Sequence, residues 1–232
     1  MVYNEQCKLG DIICEHYQML HLLSRFGISL GFGDKTVKAI CSENNVDCYT
    51  FLATVNYVIT GESTDLNNID LHSMMAFLQN AHTYYIDYCF PKLRRRLINV
   101  IDFNDDNKLA LLIISLFDEY VKGLRNHLSY EDKTVFPYVH DLLNNKVPNT
   151  TYQISSFSRH HDQLDQRLME LKNVIIKYTP SNNNTNEINA TLFDIFTCEA
   201  DLKSHCLIED NIFIPAIRAL EMKLLQQDRT NE

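Results

Sequence analysis

His127-Leu-Ser-Tyr-Glu131-Asp-Lys-Thr-Val-Phe-Pro137 and His205-Cys-Leu-Ile-Glu209-Asp-Asn-Ile-Phe-Ile-Pro215 carry His, Glu, Asp and Pro at identical offsets. Each motif lies in a stretch whose apolar residues recur every three or four positions, the period of an amphipathic helix. Residues at i and i+4 lie about 5 to 6 Å apart on one helix face, so each His-x-x-x-Glu can present an imidazole and a carboxylate together. Working upstream, His82 precedes His127 by 45 residues, and a histidine at 161 precedes His205 by 44. The segment therefore reads as two similar helix pairs, each giving a His from its first helix and a His plus a Glu from its second.

The apolar stripes are Leu71, Met75, Leu78 and Tyr85 or Ile86; Ile113, Leu116, Tyr120 and Leu124; Ile154, Phe157, Leu164, Leu168, Leu171 and Ile175; and Leu192, Ile195, Leu202, Ile212 and Ala216. Polar connectors at Phe103-Asn-Asp-Asp-Asn, Asn144-Asn-Lys-Val-Pro-Asn-Thr and Thr179-Pro-Ser-Asn-Asn-Asn separate four long segments. Four amphipathic helices with short connectors make an all-α, antiparallel four-helix bundle. Pro137 and Pro215 are expected to stop or kink their helices beyond the motif.

Before the bundle, residues 1–63 read as a small three-helix domain, with residues 64–232 forming the bundle. Helix starts are expected at Asp11, Asp34 and Asp47, the first helix running to Gly27. Three of the six glycines fall within Gly27-Ile-Ser-Leu-Gly31-Phe-Gly33, a density that implies a tight loop with positive backbone dihedrals. Sixty residues make a marginal core, so docking on the rest of the chain is expected.

Composition narrows the function. Only 6 Gly and 5 Pro in 232 residues argue against turn-rich β architecture. A formal charge of −9 repels polyphosphate, and the one basic run, Lys92 with Arg94, Arg95 and Arg96, reads as a solvated helix end, so no nucleic acid partner is expected. The longest apolar run, Leu109 to Phe117, is nine residues and too short to span a bilayer, so no membrane partner is expected either. Seven cysteines without a CxxC pair fit reduced thiols, and the first residues lack an apolar signal core, so a cytoplasmic location is expected. Cys198 and Cys206 read as inert thiols of the fourth helix.

A single core histidine is usually a hydrogen-bonded packing residue. Two core carboxylates are different, because a buried carboxylate without a cation costs several kcal/mol. Mixed imidazole and carboxylate donors, with no cysteine at ligand spacing, suit iron or manganese rather than an iron–sulfur cluster or structural zinc.

The pattern resembles the hemerythrin-like bundle proteins, and most closely the di-iron family for repair of iron centres, which protects iron–sulfur clusters from nitrosative and oxidative stress. The residues that carry the resemblance are Asn80-Ala-His82, His127-x-x-x-Glu131 with Phe136-Pro137, His161-Asp162, and His205-x-x-x-Glu209 with Ile214-Pro215. It implies two iron ions joined by an oxo or hydroxo bridge, with His82, His127, His161 and His205 as terminal ligands and Glu131 and Glu209 bridging. The His-Asp dipeptide of the family selects His161 over His160, which periodicity leaves open. Two coordination positions would remain, for nitric oxide, dioxygen or hydrogen peroxide, and damaged iron–sulfur proteins would be partners. Arg25-Phe26-Gly27-Ile28 resembles the small N-terminal domain of the same family. Where that family carries a Cys-Cys dyad, this chain reads Leu30-Gly31-Phe32-Gly33-Asp34, which leaves Cys41 and Cys48 as the nearby thiols. The alternative function is binding or sensing of dioxygen or nitric oxide without turnover.

Overall fold

The computed structural model describes residues 3–62, 65–100, 108–144, 154, 162–179 and 185–230. The described residues are built from helices and the turns between them, with no strand beyond an isolated antiparallel bridge of Lys8 to Thr36. The scarcity of Gly and Pro is in keeping with this.

Four short helices, not three, open the chain: α1 (Leu9–Glu15), α2 (Met19–Arg25), α3 (Val37–Glu43) and α4 (Cys48–Thr60). The helix expected from Asp11 to Gly27 is two, because the chain leaves helical geometry at His16 (φ −134°, ψ 78°). There the His16 ring lies 3.1 Å from the Tyr3 hydroxyl, which in turn donates to Glu15. Asp11 sits inside the first turn and caps nothing; Lys8 holds the cap position without a side-chain bond. The next helix is capped by Thr36 rather than Asp34, its hydroxyl accepting from the Ala39 N–H. The Asp47 cap forms as expected and accepts from the Thr50 N–H at 2.8 Å. Gly27, Gly31 and Gly33 all have positive φ, as their density in the loop implies.

A 3-10 turn at Leu66–Asn68 leads into the long helices. α5 (Leu71–Thr83) continues through a π-helical segment, Tyr84–Cys89, into α6 (Phe90–Val100). α7 (Lys108–Tyr130) continues through a π segment, Glu131–Val135, into α8 (Phe136–Leu143). α9 spans Asp162–Tyr178. α10 (Thr185–Ile208) continues through the π segment Glu209–Phe213 into α11 (Ile214–Thr230). Neither Pro137 nor Pro215 stops its helix. A proline ring in an α-helix clashes with the carbonyl four residues earlier. For Pro91, Pro137 and Pro215 that carbonyl belongs to Asp87, Lys133 and Asn211, each inside a π segment whose wider turn gives the ring room.

Contacts group the chain into two compact units. The first comprises Met1–Ala81, Thr134–Ser155 and Lys203–Glu232. Its core includes a ring cluster, Phe26 lying 5.2 Å from Phe51 and 4.7 Å from Phe77 between centroids. Asn80 adds a side-chain donor to the Arg25 carbonyl at 2.8 Å, so the N-terminal helices dock on α5, as their small size requires. The backbone of Tyr3 pairs with the Asn56 amide in both directions, at 2.7 and 2.9 Å. Phe136 and Phe213 meet edge-on at 5.9 Å.

The second unit comprises His82–Lys133 and Ser156–Leu202, with α7 packed along α9. Phe90 is its centre, with Tyr85, Phe117 and Tyr120 at 6.0, 6.5 and 6.1 Å. A fully buried ring or aliphatic chain of this kind contributes about 1.5 to 3 kcal/mol. Of the two alternatives Tyr85 and Ile86, Tyr85 faces the core, and one position is corrected, Phe117 taking the place of Leu116. The side chains of Phe157 and Leu164 lie outside the described residues. Of the basic run, Arg94 binds Asp118 through two hydrogen bonds, and Arg96 pairs with Asp194. No helix among the described residues is long and apolar enough to cross a membrane.

Candidate metal centre

Glu131 begins one π segment and Glu209 begins another, so each carboxylate sits where the backbone ladder widens. π turns inside α-helices are frequent at functional sites. Four residues before each carboxylate, on the preceding helical turn, stands a histidine, as the spacing requires. His127 Nε2 lies 2.9 Å from Glu131 Oε1, and His205 Nε2 lies 3.0 Å from Glu209 Oε1. His82, at the end of α5, brings its Nε2 to 3.0 Å from the other oxygen of Glu131, Oε2. The two oxygens of one carboxylate thus face two different imidazoles.

Burial is deep: Glu131, His205 and Glu209 are each 1% exposed, and His82 is 4% exposed. Within the second unit His82, His127 and Glu131 bring their donors together, and within the first His205 and Glu209 do the same. His161 and its neighbour His160 lie outside the described residues.

His82 Nδ1 is 2.9 Å from Asp132 Oδ1. A neutral imidazole donating there presents Nε2 as a bare lone pair. That lone pair then faces a carboxylate oxygen at 3.0 Å, so the contact calls for a positive charge between the two, a proton on Nε2 or a metal ion in its place. The Glu131 oxygens make no hydrogen bond of acceptable angle, although both are buried. Two donors each about 2.1 Å from one ion and at a right angle lie about 3.0 Å apart, so the separations fit shared coordination. Burial pushes the Glu131 carboxyl up, but the facing His127 and His82 imidazoles outweigh it and hold it well below the usual carboxylate range. It is thus a carboxylate ready to accept a cation, and the donor set is one for a mixed N/O metal site.

Asp132 is the functional residue that the sequence reading did not assign. Its signal was present, since an Asp follows the Glu in both repeated motifs, as Asp132 and Asp210. The π segments were also missed; a proline six residues after each Glu marks two of them, and Pro91 the third. Among the N-terminal thiols, Cys41 is buried and its thiol is pushed up, first by burial and then by Cys48, which makes it a poor nucleophile.

The fold and site together define an all-helical protein with a buried His/Glu cluster able to hold a metal ion. The sequence model described as Hemerythrin HHE cation binding domain matches residues 74–217, more than half of the chain, and the chain belongs to that family. Comparison with curated proteins returns no significant match. The expected class, a helical hemerythrin-like bundle preceded by N-terminal helices, is the one found.

Proposed function

We propose that this hemerythrin-family protein is a non-haem di-iron protein that protects or repairs iron–sulfur clusters under nitrosative or oxidative stress. The observation that carries the reading is Glu131, whose two oxygens face His82 and His127 separately, the arrangement a carboxylate spanning two ions needs. In this reading His82, His127, His161 and His205 are terminal ligands, and Glu131 and Glu209 bridge. Residues 1–63 form a small docking domain without thiol chemistry, and residues 64–232 form the bundle.

Iron bound there would supply reversible one-electron chemistry and open positions for nitric oxide, dioxygen or peroxide. The chain's own residues do the rest. Asp132 fixes the His82 ring and its tautomer by accepting from Nδ1. The lowered pKa of Glu131 keeps it an anion, so no proton has to leave before a cation binds. Deep burial of His82, Glu131, His205 and Glu209 keeps bulk water from competing for them. The repair assignment is supported by the order and spacing of the quoted motifs.

The test is metal analysis with an optical spectrum of protein from iron-replete cells, followed by incubation with a nitric-oxide-damaged iron–sulfur enzyme. About two irons per chain and recovered enzyme activity are expected. Stoichiometric zinc with no iron would sink the di-iron reading. Reversible dioxygen binding with no recovery would move the function to carriage or sensing.

A further inference from the structure

Cys89 closes the π segment of the second unit, and Cys198 lies on α10, 109 residues away in sequence. Their sulfurs are 3.3 Å apart and hydrogen-bonded, and both side chains are buried, at 7% and 8% exposure. Two sulfurs in such contact need only a small closing motion to reach bonding distance. From this geometry we propose that Cys89 and Cys198 are a redox-active dithiol that reduces hydrogen peroxide and closes to a disulfide inside the bundle.

Three observations support reactivity over inert packing. The Cys89 thiol is held below its ordinary value, first by its hydrogen bond with Cys198, with Tyr84 and Lys92 acting the same way against burial and Asp201. Thiolate character is what makes a cysteine attack peroxide. Cys41 offers the internal contrast, a buried thiol beside Cys48 that is shifted upward. The burial of both residues, finally, suits a small neutral oxidant and disfavours a bulky protein disulfide.

The step balances without the metal and is independent of the function proposed above. Cys89 sulfur attacks one peroxide oxygen: the S–O bond forms, the O–O bond breaks, and the leaving hydroxide takes up a proton as water. Cys198 sulfur then attacks the Cys89 sulfenic acid: the S–S bond forms, the S–O bond breaks, and a second water leaves with the remaining proton. Two thiols lose two electrons and two protons, and peroxide becomes two waters. A low-molecular-weight dithiol restores the pair by exchange.

The test uses the full chain with its metal content measured, one equivalent of hydrogen peroxide, alkylation in denaturant and peptide mapping. Two of the seven thiols should become resistant to alkylation, in a single Cys89–Cys198 linked peptide that dithiothreitol reverses. The same link should form after chelation of the metal. In Cys198→Ser, checked for native helix content by circular dichroism, oxygen should accumulate on Cys89 instead. Seven thiols still alkylated, a link joining any other pair, or a link that requires metal would overturn the proposal.

Discussion

Asp132 is where holding an imidazole can be separated from holding an ion. It touches His82 and stands beside Glu131 in the chain, so its substitution alters a ligand's orientation without deleting a ligand. Asp132→Asn should lower metal affinity about 10- to 100-fold, the usual loss for an outer partner of a ligating histidine. Competition with a chromophoric chelator measures this; unchanged affinity would mean that Asp132 only decorates the ring. His82, His127, Glu131, His205 and Glu209 stand out in the sequence because histidine and glutamate interrupt apolar stripes at a fixed period, whereas His161 is preferred to His160 only by the family resemblance and lies outside the described residues. Asp132 was visible as a repeated letter and still opaque, because its partner lies 50 residues away on another helix and spacing within one helix cannot reveal it.

Among the elements, the π segments carry the strongest constraint. Each supplies the width that a following proline needs, and one begins at each candidate bridging glutamate. Deleting Thr134 should convert Glu131–Val135 to ordinary helix and set the Pro137 ring against a carbonyl, costing about 3 kcal/mol or more. The same deletion in a Pro137→Ala background should cost clearly less. Urea denaturation of the four proteins in a double-mutant cycle gives the coupling; additive losses would show that ring and turn are unrelated. Helix periodicity was readable, and the long segments came out near their expected bounds. The splitting of the first helix was not, because it depends on a Tyr3, Glu15 and His16 contact that no helix rule contains. The widened turns were hidden for a similar reason, since a one-residue change in hydrogen-bond register leaves the apolar pattern almost intact.

For the molecule as a whole, buried acids joined to buried imidazoles tie stability to metal. An ion that binds the folded chain and not the unfolded one stabilises it by about 4 kcal/mol at a thousandfold excess over Kd. Chelation should therefore lower the unfolding free energy measured in urea by an amount of that order and shift the midpoint down with it, and readdition of ferrous iron under argon should restore both. A midpoint indifferent to chelator would place the ion outside the folded core. The all-helical class was legible from apolar periodicity together with composition, whereas the grouping of the chain into two discontinuous compact units was not, because the sequence reading followed chain order and these units do not.

Each His-x-x-x-Glu pair closes within little more than one helical turn. Half of a binding site is thus assembled by a contact of very short sequence separation, the kind that forms earliest when a chain folds. A helix that has just appeared can chelate an ion loosely while its partners are still unplaced, and the bound ion repays part of the entropy of fixing that turn. An ion taken up this early would make the two four-residue spacings part of how the chain folds as well as of what it binds.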